Sequence, residues 1–195
     1  MLFTHKSIDV DNIDIITDEL RKFALPATKG RPSGLWKLDM QKFKIFCPNC
    51  VKYFKSINQY DNLYKVTIVI VHPPRTGKDA HVDNAIFPPQ EVGESKGCLS
   101  FNFNVENCTT DETEVYLYKY ISGETTILGL PDSVEGSYMF FKDCEMEEIG
   151  KYTLKTPVLM NNTVPHAIKN DTDTPRVSVS FRFLVDPWEW AVNGI

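Results

Sequence analysis

Residues 176–183, RVSVSFRF, alternate without a break. In an extended strand successive side chains point to opposite faces. Val177, Val179, Phe181 and Phe183 therefore form an apolar face, and Arg176, Ser178, Ser180 and Arg182 a polar one. On an ordinary outer strand the polar face meets water. In a barrel whose apolar face packs under helices, it lines an interior cavity instead.

The neighbouring sequence supplies both helices and further strands. TDELRKFAL (17–25) opens with acids and has the apolar spacing of a short helix. NCVKYFKSI (49–57) sets Val51, Phe54 and Ile57 three apart, again a helical face. KGRPSG (29–34) reads as a loop. From Lys65 the pattern changes to strands separated by turns: 65–71, 98–105, 114–121, 137–142, 156–161 and 176–185. The expectation is a mainly β protein with flanking helices, built as a sandwich or jelly roll. The 195 residues suit a single domain, with a helical part over about 1–60 and a jelly-roll core over about 61–185.

Charge and cysteine usage narrow the function classes. A net charge of −5 gives no electrostatic reason to expect a nucleic-acid partner. No apolar run approaches the roughly 18 residues that span a bilayer, so no membrane partner is expected. The N-terminus lacks a basic region followed by an apolar one, the mark of a signal peptide. Five cysteines, at 47, 50, 98, 108 and 144, fit free thiols in a reducing, cytoplasmic setting. CPNC (47–50) has no second pair of Cys or His ligands to complete a zinc site. It is read as a helix start near Asn49 with incidental thiols.

The chemistry concentrates in HVDN, residues 81–84. His81 and Asp83, at i and i+2 of an extended segment, are presented on one side about 7 Å apart along the backbone. They are either a hydrogen-bonding pair at a wet strand end or two thirds of a metal site. Pro165-His166 supplies a second imidazole in a strand-like segment. Two histidines and one carboxylate, with positions left open on the ion, are the facial set for non-haem Fe(II). Arg176 and Ser178, ten and twelve residues after His166, put a guanidinium fork and a hydroxyl on one strand face. That pair suits a carboxylate. His72, ahead of Pro73-Pro74, reads as a turn residue. Arg182, about 20 Å of strand from Arg176, reads as a rim residue.

Together HVDN, LSFNFNVENC, VPHAIKN and PRVSVSFRF resemble the Fe(II)- and 2-oxoglutarate-dependent dioxygenases, in their compact single-domain form. The resemblance implies a double-stranded β-helix of the cupin-like, jelly-roll type. It implies His81, Asp83 and His166 as iron ligands, and Arg176 assisted by Ser178 as the seat of the distal carboxylate of 2-oxoglutarate. Asn102 is a weaker candidate for a cosubstrate contact and Tyr118 weaker still. Dioxygen would be the second cosubstrate. With Asp83 in the carboxylate position, hydroxylation is implied rather than halogenation. The substrate would be a small molecule or a peptide or protein side chain, chosen by loops 28–36, 84–97 and 186–195. The segment after Asp83 would act as a lid, and Trp188 and Trp190 would pack the C-terminus onto the barrel. Two competing readings are a cupin-like metal-binding or sensing barrel without turnover and a thiol-redox protein built on CPNC.

Overall fold

The alternating segment forms a strand over Arg176–Phe183 with a neighbour on each side, and all eight residues are buried. In the computed structural model, residues 4–76, 80–83, 99–128, 138–141 and 143–183 are described. The chain opens with β1 (His5–Ser7), α1 (Ile13–Ala24), a 3-10 turn (Leu25–Thr28), β2 (Gly34–Lys37), α2 (Met40–Phe46) and α3 (Pro48–Ser56). It continues through β3 (Leu63–Val71), β4 (Arg75–Thr76), β5 (His81–Asp83), β6 (Leu99–Glu106) and a 3-10 turn (Asp111–Thr113). Then follow β7 (Val115–Ser122), β8 (Thr126–Leu128), β9 (Tyr138–Phe140), β10 (Glu145–Tyr152), β11 (Val158–Asn161), β12 (His166–Asn170) and β13 (Arg176–Phe183).

The strands form two antiparallel sheets. The larger runs β1-β11-β6-β13-β3-β2 and the smaller β10-β7-β12-β5-β9-β8, with β4 also paired to β12. The expected mainly β jelly roll with flanking helices is the fold observed. The N-terminal third is not wholly helical, since β1 pairs with β11 and β2 with β3. Among the elements that the sequence expectation did not include are α2, β2 and β10. In α2 only Phe43 is buried, so no apolar stripe marks it. In β2, Gly34 at φ +148° follows the loop that the Gly and Pro content does predict. As for β10, it is acid-rich, mostly exposed and interrupted by register shifts, as edge strands often are.

Helices cover one face of the larger sheet. Val66, Ile68 and Ile70 of β3, Phe101 and Phe103 of β6, and the apolar face of β13 share one buried cluster with Ile16, Leu20, Ala24, Phe43 and Phe54 of the helices. Phe54 lies at its centre, edge-on to Phe181 at 4.8 Å and to Phe183 at 5.3 Å between ring centroids. Such edge-to-face pairs add to the energy of burial. The helix that the 17–25 pattern predicts starts earlier, at Ile13, with Ile16, Leu20 and Ala24 buried at four-residue intervals. The Asp39 carboxylate accepts from the Gln41 and Lys42 amides to cap α2. Those two bonds hold its carboxyl below the usual range. No helix among the described residues is long and apolar enough to cross a membrane.

CPNC does open a helix, as its sequence predicts. The α3 start at Pro48 puts proline in the first turn, where no amide is missed. Glu19 of α1 accepts from the Asn49 amide at 3.0 Å and the Cys50 amide at 3.3 Å, capping α3 from a neighbouring element. Cys47 and Cys50 are fully buried free thiols. Burial, with the Glu19 charge adding, pushes the Cys47 thiol up to about 12. Burial pushes Cys50 well above the usual thiol range too. The thiolate is the reactive form, so these thiols are inert in the folded state.

Two outcomes are expected. Phe54→Ala should lower unfolding free energy by about 3–5 kcal/mol in urea titrations, because it empties the centre of the aromatic cluster. Under native conditions at pH 8, mass-spectrometric mapping with a thiol reagent should leave Cys47, Cys50 and Cys108 unmodified, and denaturant should expose all three.

Candidate metal centre and cosubstrate cavity

The polar face of β13 turns away from the helices and, with the facing sheet, encloses a cavity of about 360 Å³. Its walls carry His81, His166, Arg176, Ser178 and Asn102, five of the six residues that the sequence nominates. The larger sheet contributes the β13 face, Val69 and Val71 of β3, and Ser100 and Asn102 of β6. The smaller sheet contributes the two histidines, Val115 and Ile168.

The imidazoles belong to directly opposed residues, since His81 of β5 registers with His166 of β12. Their ring centroids lie 4.5 Å apart. At that separation both rings can place a nitrogen about 2 Å from one shared ion. His166 is 5% exposed, and its Nδ1 donates to the Val164 carbonyl at 2.9 Å. A carbonyl can only accept, so Nδ1 carries a proton, and in the neutral ring Nε2 is then the nitrogen with the lone pair that a metal requires. The residues just before it hold this geometry. Asn161 Oδ1 accepts from both the Thr163 amide and hydroxyl, and the Pro165 carbonyl accepts from the Tyr118 amide at 2.8 Å. Asp83 ends β5 opposite Tyr138; its side chain lies outside those described. Among the described residues no group of three His, Cys, Asp or Glu side chains gathers as a metal site. The described part of the donor set is two imidazoles, which fits a borderline divalent ion.

Arg176 begins β13 and is 1% exposed. Its Nε donates to the Thr113 carbonyl at 3.1 Å and its Nη1 to Ser178 Oγ at 3.2 Å. Both partners are neutral, and no carboxylate pairs with it among the described residues. At the same end of the cavity Arg75 of β4 registers with Asn170, and its buried Nε has no partner. Asn170 fixes this end: its Nδ2 donates to the Val71 and Thr174 carbonyls, and its Oδ1 accepts from the Thr172 amide and hydroxyl. That clamp sets the turn from β12 to β13, and so the position of Arg176 relative to His166. A buried cation with an orphaned donor beside it fits a carboxylate.

The remaining nominated residues divide. Asn102 lines the cavity, but its Nδ2 donates to Ser100 Oγ at 3.0 Å and to the Val158 carbonyl at 3.4 Å. Tyr118 packs with Ala80, Val82, Phe141 and Ala167 on the other face of the smaller sheet, away from the cavity. Alternation explains this, because Leu117 is the residue that registers with His166. Arg182 is not at a rim: it is 6% exposed and lines the cavity wall. The spacing along β13 is as expected, but that end of the strand is buried. His72 is an exposed turn residue, its Nε2 bonded to the Arg31 carbonyl at 2.9 Å. In segment 28–36, Gly34 and Leu35 reach the cavity. Segments 84–97 and 186–195, with Trp188 and Trp190, lie outside the described residues. The sequence reading missed Arg75, Ser100, Asn162 and Ser180. For Ser180 a signal existed, since it continues the alternation of Arg176 and Ser178.

No protein-family model and no curated protein matches the sequence. Among solved structures, the chain is similar to the epimerase SnoN in complex with Fe3+, alpha ketoglutarate and nogalamycin RO. The TM-score is 0.55 and the identity 11%, over 92% of this chain and 77% of that one. EvdO2 from Micromonospora carbonacea var. aurantiaca, complexed with 2-oxoglutarate, gives a TM-score of 0.48 at 13% identity, over 97% of this chain and 99% of that one. A Pseudomonas putida prolyl-4-hydroxylase gives 0.45 at 8% identity, over 94% of this chain and 87% of that one. What the SnoN likeness carries is fold. The chain is a double-stranded β-helix with flanking helices, the fold it shares with that iron- and alpha-ketoglutarate-bound enzyme.

Proposed function

We propose that the protein is an Fe(II)- and 2-oxoglutarate-dependent dioxygenase that hydroxylates its substrate. The observation that carries this reading is one cavity holding two opposed imidazoles and, at another point of its wall, a buried Arg176–Ser178 pair with no carboxylate partner among the described residues. His81, His166 and Asp83 would hold the metal, and Arg176 with Ser178 would seat the distal carboxylate of 2-oxoglutarate. Bound there, iron and 2-oxoglutarate would supply oxidation by dioxygen, one oxygen atom going to substrate and the other to succinate, with CO2 released.

The chain's own share is orientation and exclusion of water. The Val164 carbonyl holds the His166 ring in the ligating tautomer. The Thr113 carbonyl and Ser178 hydroxyl fix the guanidinium so that its fork is presented to the cavity. Val69, Val71, Val115 and Ile168 surround these groups with apolar walls, which strengthens each polar contact inside.

With Fe(II), ascorbate and 2-oxoglutarate, the purified protein should form succinate slowly even without its substrate. His81→Ala should reduce this to background. Arg176→Ala should raise KM for 2-oxoglutarate by about 30-fold or more, the usual consequence of losing one partner of a buried charged contact. Metal binding with neither succinate formation nor metal-dependent binding of 2-oxoglutarate would instead identify a metal-binding barrel without turnover.

A further inference from the structure

The face of β13 that carries Arg176 and Ser178 continues with Ser180 and Arg182. Register places these two beside Asn102 and Ser100 of β6. All four line the cavity, and Asn162, just after β11, joins them. A directed chain of hydrogen bonds runs through the group. Asn102 Nδ2 donates to Ser100 Oγ at 3.0 Å, and Ser100 Oγ donates to Asn162 Oδ1 at 2.8 Å. Because Asn162 accepts through Oδ1, the orientation of its amide is assigned by the network. Its Nδ2 is left as a donor, buried and without a partner. Ser180 Oγ is buried without a partner too. Each residue is 1% exposed. Two orphaned buried donors on a native cavity wall call for an acceptor from outside the chain.

Charge says what kind of acceptor. Arg75, Arg176 and Arg182 line this one cavity, and among the described residues no Asp or Glu side chain does. About 20 Å of strand separates Arg176 from Arg182. A 2-oxoglutarate with one carboxylate on Arg176 and its keto-acid end at the metal has no carboxylate left for Ser180 Oγ and Asn162 Nδ2. A guanidinium, a hydroxyl and a carboxamide NH2 can each donate to the oxygens of a carboxylate. A volume of about 360 Å³ is at the low end for small-molecule sites, so a small occupant fits better than a polymer.

We propose that the primary substrate is a small organic acid whose carboxylate is seated by Arg182, Ser180 and Asn162. This assignment rests on the oxygenase reading above. Arg182 and its neighbours position the acid, and the carbon to be oxidised lies on the part of the molecule turned toward the histidines.

The test uses the full chain loaded with Mn(II), a redox-silent substitute for iron, and saturating 2-oxoglutarate. Propanoate and propanamide are titrated by calorimetry into the parent and into Arg182→Gln, Ser180→Ala and Arg176→Gln. Propanoate should bind the parent, with propanamide about tenfold weaker or worse. Arg182→Gln should weaken propanoate by about tenfold or more and leave 2-oxoglutarate affinity within about twofold. Ser180→Ala, too small a change to endanger folding, should weaken propanoate about threefold. Arg176→Gln should weaken 2-oxoglutarate and spare propanoate. Equal binding of acid and amide, or no propanoate binding, overturns the proposal. So does an Arg182→Gln variant that loses 2-oxoglutarate as severely as Arg176→Gln, because the arginine then belongs to the cosubstrate. A parent that binds Mn(II) but not 2-oxoglutarate fails differently: it overturns the oxygenase reading itself, and with it the acid's standing as a substrate.

Discussion

A guanidinium shut inside a protein has lost its water, and neutral dipoles only partly replace it. Arg176 is in this position, held by a backbone carbonyl and a serine hydroxyl and facing a cavity. Much of the surrounding structure makes sense as what keeps that group in place. The helices seal the opposite face of β13 with Phe43 and Phe54, so the strand cannot turn over without exposing Phe181 and Phe183. A shift of one residue in register would send the arginines into the aromatic layer. The apolar face therefore secures the register that the polar face needs. The cost of burying the Arg176 cation is borne by a large apolar cluster on the other side of the same strand.

Much of this could be read from periodicity alone. Residues 65–71, 98–105 and 176–185 carry strong two-residue alternation or continuous β-branched runs, and they became the central strands β3, β6 and β13. Periodicity failed where burial is one-sided or slight. The α2 helix buries only Phe43 and leaves Ile45 and Phe46 exposed, so its hydrophobicity points the wrong way. Its legible mark is the Asp39 cap. For β10 the acids belong on a wet edge strand, and in a short window they resemble a helix or loop.

The candidate site was legible as a set of residue types at set spacings, and less so as a shape. Alternation put Arg182 on the same face as Arg176. It could not say whether that end of the strand opens to water. The burial of Arg182 in the fold settles that. Asn162 lies beyond the end of β11, within a turn, where no periodic pattern reaches. Tyr118 failed for a simpler reason. Its strand does face the cavity, but through Val115, so parity places the tyrosine on the far side.

The two sheets are also held by unlike means, and this bears on what a metal would do mechanically. The larger sheet rests on the helical layer through one extended cluster, whereas the clusters that include the smaller sheet are smaller, one of them shared with Val158 and Met160 of β11. Within that sheet β12 is tied to β7 over three registered pairs, His166 to Leu117 through Ile168 to Val115. Its tie to β5 is a single registered pair, His166 with His81. The two imidazoles thus sit on the thinnest seam of the described sheet. An ion held by both would cross-link β5 to β12 there, and its binding energy would add directly to the stability of the folded state. Metal binding and the integrity of this wall are then one equilibrium: the residues that would do the chemistry would also close the barrel around it.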